Sequence, residues 1–133
     1  MTSKYYKEFN PNPLRKVVGD CTIRALCAVT GKSWYVIYDI LSDMGKKLAC
    51  PFSHIEINDY DYHKELFGMI RHKVVRKKGE KAMNVEQFCK EHPTGKYILR
   101  LSHHMIGIVN GKYCELFAGW ERRTIYTYWE YVE

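Results

Sequence analysis

Apolar positions recur at two different periods along this chain, and the change between them divides it. Over "CTIRALCAVTG", residues 21–31, Ile23, Leu26, Cys27 and Thr30 share one face at helical spacing. Small Ala25 and Ala28 allow close packing there. Asp20 is the expected cap of this helix and Gly31 its end. Ser33 is the next expected cap, opening "SWYVIYDILSDMG", where Trp34, Ile37, Tyr38 and Leu41 repeat at helical spacing and Gly45 is the expected stop. Residues 46–57, with Pro51 among them, show no period. Asn58 is placed at the start of a third helix over "NDYDYHKELFG". A basic segment, "RHKVVRKKGEKA", leads to a fourth helix, "NVEQFCKEH", where Asn84 and Gln87 stand near capping-box spacing and Pro93 and Gly95 stop the helix.

The character then changes. "KYILRLSHHMIGIVNGKYCELFAGWERRTIYTYWEYV" is rich in β-branched and aromatic residues and contains Asn110-Gly111, the strongest short hairpin signal. Residues 1–16 read as an extended lead-in, because "NPNP" favours β or polyproline backbone before each proline. The expected fold class is α+β, with N-terminal helices packed on a C-terminal antiparallel sheet in one domain over residues 1–133. No internal repeat or linker interrupts it.

Composition narrows the class without naming a function. The chain has 133 residues, 46% hydrophobic and 27% charged, an ordinary profile for a chain that buries one core. Its apolar runs are short, and its N-terminus is polar, so neither a membrane span nor a secretory signal is expected. The expected location is cytoplasmic. Five cysteines form an odd set with no short-range framework, which suits free thiols. A net charge of +6 is modest and decides nothing alone.

Candidate chemistry begins at Cys21, which sits where the irregular lead-in becomes a helix. A helix N-terminus carries unpaired N–H groups and about half a positive charge. Both favour a thiolate, and the N–H groups can serve as oxyanion donors in acyl transfer. Cys27, two turns later, has no such placement. A thiolate nucleophile needs a histidine, and the histidine needs an orienting group.

The hairpin offers both. With a two-residue turn at Asn110-Gly111, Val109 pairs with Lys112, Ile106 lies opposite Glu115 and His104 lies opposite Phe117. His104, Ile106, Tyr113, Glu115 and Phe117 then share one face, and Glu115 is the diagonal neighbour of His104. His103 and Cys114 point the other way. A register slip of one residue would reverse the choice.

"GDCTIRALCAVTGKSW", followed by "GKYILRLSHHMIGIVNGKYCELF", resembles small papain-like cysteine peptidases and amidohydrolases of bacteria and phages. That group opens a helix with "DC-x-IRAL" and later places an "LS-x-H" strand before a turn and a "YD" strand. The resemblance implies a papain-like fold, Cys21 as nucleophile and His104 as base, with Glu115 where the family has Asp. It also sets the family's oxyanion glutamine against Arg15, with Asn12 as the other candidate donor. The expected activity is a cysteine-dependent acyl hydrolase acting on a protein or peptide substrate, by a Cys-His-Glu triad and with no cofactor. The rival expectation is a non-catalytic protein-binding module on the same scaffold, such as a phage-encoded inhibitor of a host factor. Oligomeric state stays open.

Three other features carry weaker chemistry. Arg71 to Lys81 holds six basic residues and one Glu, a solvated rim that could dock an acidic protein partner. It has no aromatic for stacking bases, so nucleic acid is not expected. Cys50, His54, Cys89 and His92 make a mixed zinc set on paper, but Phe88 and Cys89 read as core, and no metal site is expected. The aromatic run from Trp120 to Tyr131 reads as a terminal core strand, with some rings bordering the site.

Overall fold

The computed structural model describes residues 3–132. It is an α+β arrangement of four helices and a six-stranded sheet in the order β1-β5-β4-β3-β6-β2. The elements in chain order are β1 (Tyr6–Glu8), α1 (Cys21–Thr30), α2 (Trp34–Leu48), α3 (Tyr62–Phe67), β2 (Ile70–Lys73), α4 (Val85–Glu91), β3 (Lys96–Leu101), β4 (His104–Val109), β5 (Lys112–Glu115) and β6 (Thr127–Tyr131), with a 3-10 turn at Phe52–His54. No helix among the described residues is long and apolar enough to cross a membrane.

The expected antiparallel sheet proves to be mixed. The lead-in contributes β1, which runs parallel to β5, and the basic segment begins as β2, paired antiparallel to β6. The lead-in lacks an alternating pattern because β1 is a half-exposed edge with only three paired residues. Neighbouring residues divide between two cores. Ile98, Met105 and Trp129 pack with Ile23, Leu26 and Ile37, whereas Leu99, Leu101, Ile106 and Ile108 pack with Val85 and Phe88. The sheet is therefore covered on both faces, by the first three helices and by α4.

Local signals hold at most helix ends. Ser33 Oγ accepts from the Val36 N–H, Asn84 Oδ1 from the Gln87 N–H at 2.8 Å, and Gly31 ends α1 in the left-handed region at φ 74°. Two others do different work. Gly45 does not end α2, which continues to Leu48. A Cβ at Gly45 would stand 2.6 Å from the Cys50 carbonyl oxygen, so the glycine admits the returning chain instead. The third helix starts at Tyr62, not near Asn58, with Asp61 accepting from the Lys64 N–H.

The turn at Asn110-Gly111 has φ 49° and 75°, both positive as a type I′ hairpin requires. It sets Val109 against Lys112, Ile108 against Tyr113 and Gly107 against Cys114, the expected register. Pairing stops there, so Phe117 lies beyond β5 and is exposed rather than opposite His104. His103 is not on a strand face either. It occupies the two-residue turn between β3 and β4 at φ 56°.

His63 on α3 is fully buried between Tyr62 and Trp129, with ring centroids 4.6 and 4.3 Å away, and among the described residues neither ring nitrogen has a hydrogen-bond partner. Burial pushes its pKa down to about 3, against a smaller opposing pull from the Asp61 carboxylate. The unfolded chain takes up this proton near pH 6.5 and the folded chain does not, so stability falls as pH drops below 6.5. The loss is at most about 1.4 kcal/mol per pH unit. Between pH 6.5 and 5, urea midpoints of the wild type should fall more steeply than those of His63→Phe, which keeps the stacked ring but cannot titrate. Equal slopes would remove His63 as the source.

Candidate active site

Cys21 is the first residue of α1, and His104 is the first residue of β4. What lets them meet is the closeness of helix and strand. A Cβ at Gly107 would stand 3.0 Å from the Ala28 Cβ and 3.1 Å from the Ala25 carbonyl oxygen, so α1 lies directly on the β4 backbone. The Cys21 thiol stands beside the His104 ring and the Met105 N–H, both of which stabilise its charged form. On its other edge, His104 Nε2 lies 2.7 Å from Glu115 Oε2. That leaves Nδ1 as the nitrogen for the thiol. The structure thus brings Cys21, His104 and Glu115 together, with His104 between the thiol and the carboxylate.

Glu115 is only 2% exposed, and a carboxylate so deeply buried needs partners for both oxygens. Oε1 accepts from the Leu116 N–H at 2.8 Å and pairs with Arg24 Nη2 at 2.8 Å, while Oε2 faces His104. Arg24, itself buried, also pairs through Nη1 with Asp20 Oδ1 at 2.6 Å, and Asp20 Oδ2 accepts from Trp34 Nε1 at 2.8 Å. The expected Asp20 cap is therefore absent. Its carboxylate is spent on Arg24 and Trp34 and makes no capping bond to the N–H groups of the first turn of α1.

These contacts order the protonation states. Burial works to raise the Cys21 pKa, but the hydrogen bonds from His104 and Met105 and the charges of His104 and Arg24 outweigh it and hold the thiol below its ordinary value. For His104, burial opposes the charged form, yet the bonds and charges of Cys21 and Glu115 lift its pKa to about 9. Burial of Glu115 is likewise overcome by His104, the Leu116 N–H and Arg24, which keep it ionised. By contrast, burial pushes the Cys27 and Cys89 thiols up to about 12, and Cys114 also rises. Both shifts favour a thiolate–imidazolium pair at Cys21 and His104.

The His104 ring is covered by Trp120, stacked 4.1 Å away at an interplanar angle of 6°. Trp120 is followed by Glu121, whose carboxylate accepts from the Tyr113 hydroxyl at 2.6 Å, tying this loop to β5. On the open side, Cys21 and His104 line a cavity of about 660 Å³ shared with Thr22, Tyr62, Arg100 and His103. Tyr126, from the C-terminal aromatic run, also lines it.

The expected oxyanion side chains are not there. Neither Arg15 nor Asn12 lines the cavity. Arg15 is exposed in a left-handed turn at φ 57°, and buried Asn12 uses its side-chain oxygen to accept from the Leu14 and Lys16 N–H groups. Asn12 organises the loop that carries Arg15 away. Arg24 was the legible signal that sequence reasoning missed: a charged residue inside the apolar run Ile23–Leu26, three places after Cys21. Met105 and Arg100 carry no comparable mark.

The other candidates stay apart. Among the described residues no group of three or more His, Cys, Asp or Glu side chains is arranged to hold a metal, and Cys89 is buried in the α4 core. The segment from Val75 to Lys81 is exposed and irregular.

Glu115→Gln keeps the size of the side chain and removes its charge. The His104 midpoint, followed by NMR of its ring protons, should fall by about 1 to 3 pH units from its value near 9. The Cys21 thiol should move up toward its ordinary range in the same variant. An unmoved midpoint would show that Glu115 does not hold the imidazolium. Comparisons with protein-family models, curated proteins and solved structures return no match, so the functional reading rests on this geometry.

Proposed function

We propose that this chain is a papain-like cysteine-dependent acyl hydrolase, a peptidase, isopeptidase or deamidase. The observation that carries the reading is the line of side chains from Cys21 at a helix N-terminus through His104 to buried Glu115, with His104 hydrogen-bonded to Glu115.

In the proposed reaction the Cys21 thiolate attacks an amide carbonyl carbon, forming the S–C bond while the carbonyl π pair moves onto oxygen. The uncapped N–H groups at the start of α1 are the oxyanion donors, in place of Arg15 or Asn12. Collapse re-forms the carbonyl and breaks the C–N bond, and the imidazolium of His104 gives its proton to the departing amine. Neutral His104 then takes a proton from water as the water attacks the thioester. The second collapse releases the acid and restores the thiolate–imidazolium pair. Glu115 keeps the imidazole oriented throughout, and Arg24 keeps Glu115 in place. Trp120 excludes water from the ring face.

One observation favours a second reading, a non-catalytic protein-binding module. The cavity lacks an oxyanion side chain from the loop before α1. In that reading the exposed basic segment docks an acidic protein, and charge reversal at Arg76, Lys77 and Lys78 abolishes binding while Cys21→Ala does not.

Alkylation by iodoacetamide, read residue by residue by mass spectrometry across pH, decides between them. Cys21 should react roughly tenfold or more faster than Cys50 at pH 6.5. Its rate should hold a plateau up to about pH 9, where His104 loses its proton. His104→Ala should shift the rise to the ordinary thiol range near 8.5. A Cys21 profile matching Cys50 in the wild type would sink the hydrolase proposal.

A further inference from the structure

Besides Cys21 and His104, the cavity holds a cation with no ion pair among the described residues. Arg100 stands on β3 directly opposite Met105, whose N–H stabilises the charged form of Cys21. Paired strands lie about 4.8 Å apart, so the Arg100 side chain starts one strand away from the nucleophile. It alternates with Leu99 and Leu101, which pack in the α4 core, and shares its face with Ile98, which packs under α1. It therefore projects to the side where Cys21 and Tyr62 stand.

Arg100 is half-buried and lines the cavity, and its guanidinium makes no hydrogen bond or ion pair among the described residues. Next to it, the Tyr62 hydroxyl stands beside the Thr22 side chain and feels the Arg100 charge. Glu56 also lines the cavity, but it is exposed, solvent-screened and not paired with Arg100. Compare Arg24, which is satisfied by two carboxylates. A partly desolvated fork of five donors, facing the open side of a nucleophile, matches a carboxylate in charge and in geometry.

We propose that Arg100 determines specificity by binding a carboxylate that the substrate carries within about one residue of the scissile carbonyl. This rests on the hydrolase reading above. The carboxylate belongs either to an acidic side chain or to a chain terminus, and both present the same two oxygens.

Protection of Cys21 from iodoacetamide at pH 6.5 tests this on the full chain. Three probes are used: acetyl-Ala-Ala-Glu-amide, acetyl-Ala-Ala-Ala with a free C-terminus, and the neutral acetyl-Ala-Ala-Ala-amide. At least one acid should protect at roughly tenfold lower concentration than the neutral amide. The acid that does so identifies the source of the carboxylate. Arg100→Gln should erase the preference, and Arg100→Lys, which keeps the charge but not the fork, should retain part of it. Equal protection by the neutral amide, no protection by either acid, or a preference that survives Arg100→Gln overturns the proposal. The unprotected rate in the same experiment reads the hydrolase proposal separately. Slow, ordinary Cys21 alkylation sinks that reading, whereas fast alkylation without a charge preference sinks only the role of Arg100.

Discussion

A carboxylate buried almost completely from solvent is the constraint around which the site is built. Glu115 cannot stay charged in that environment without donors for both oxygens, and they come from three parts of the chain: Arg24 of α1, His104 of β4 and the Leu116 N–H. Each partner is in turn held by something else. Arg24 is anchored on Asp20, Asp20 on the Trp34 indole, and His104 under Trp120. Helix, hairpin and loop are locked to one another by polar contacts that would be unfavourable singly. Breaking one leaves a buried charge without its partner, which costs about 3–5 kcal/mol in comparable sites.

The apolar contacts make that polar network geometrically available. Gly107 removes the side chain that would hold α1 off the sheet, and Ala25 and Ala28 supply small surfaces opposite it. With the helix axis that close, its N-terminus arrives at the start of β4, where the β3–β4 turn releases His104. The positive φ at His103 belongs to this turn, which is why two consecutive histidines end up in unlike environments. One stands between the Cys21 thiol and the Glu115 carboxylate. The other is a turn residue at the cavity rim.

How much of this could be read beforehand differs by residue. Cys21, His104 and Glu115 were legible because helix starts, hairpin turns and side-chain alternation are local rules, and Asn110-Gly111 set the register that selects among neighbours. The helices and the later strands were legible for the same reason. Asp20 misled because a carboxylate before a helix has two outlets, the free N–H groups beside it or a cation one turn on. Only the burial of Arg24 decides between them. Gly45 misled because a glycine that ends a helix and one that admits another segment look identical in one dimension.

What the amino-acid sequence determined by itself was periodicity, turn type and register, all set by contacts between residues close along the chain. Tertiary structure alone decided the rest. The parallel pairing of β1 with β5 spans more than a hundred residues, and no local pattern encodes which edge a short strand joins. The departure of Arg15 from the cavity depends on how Asn12 folds its loop, and the exposure of Arg100 to the cavity depends on what fails to pack against it. A side chain's partners are chosen by three-dimensional proximity and by the loss of water, and neither exists until the sheet and its two layers of helix have assembled.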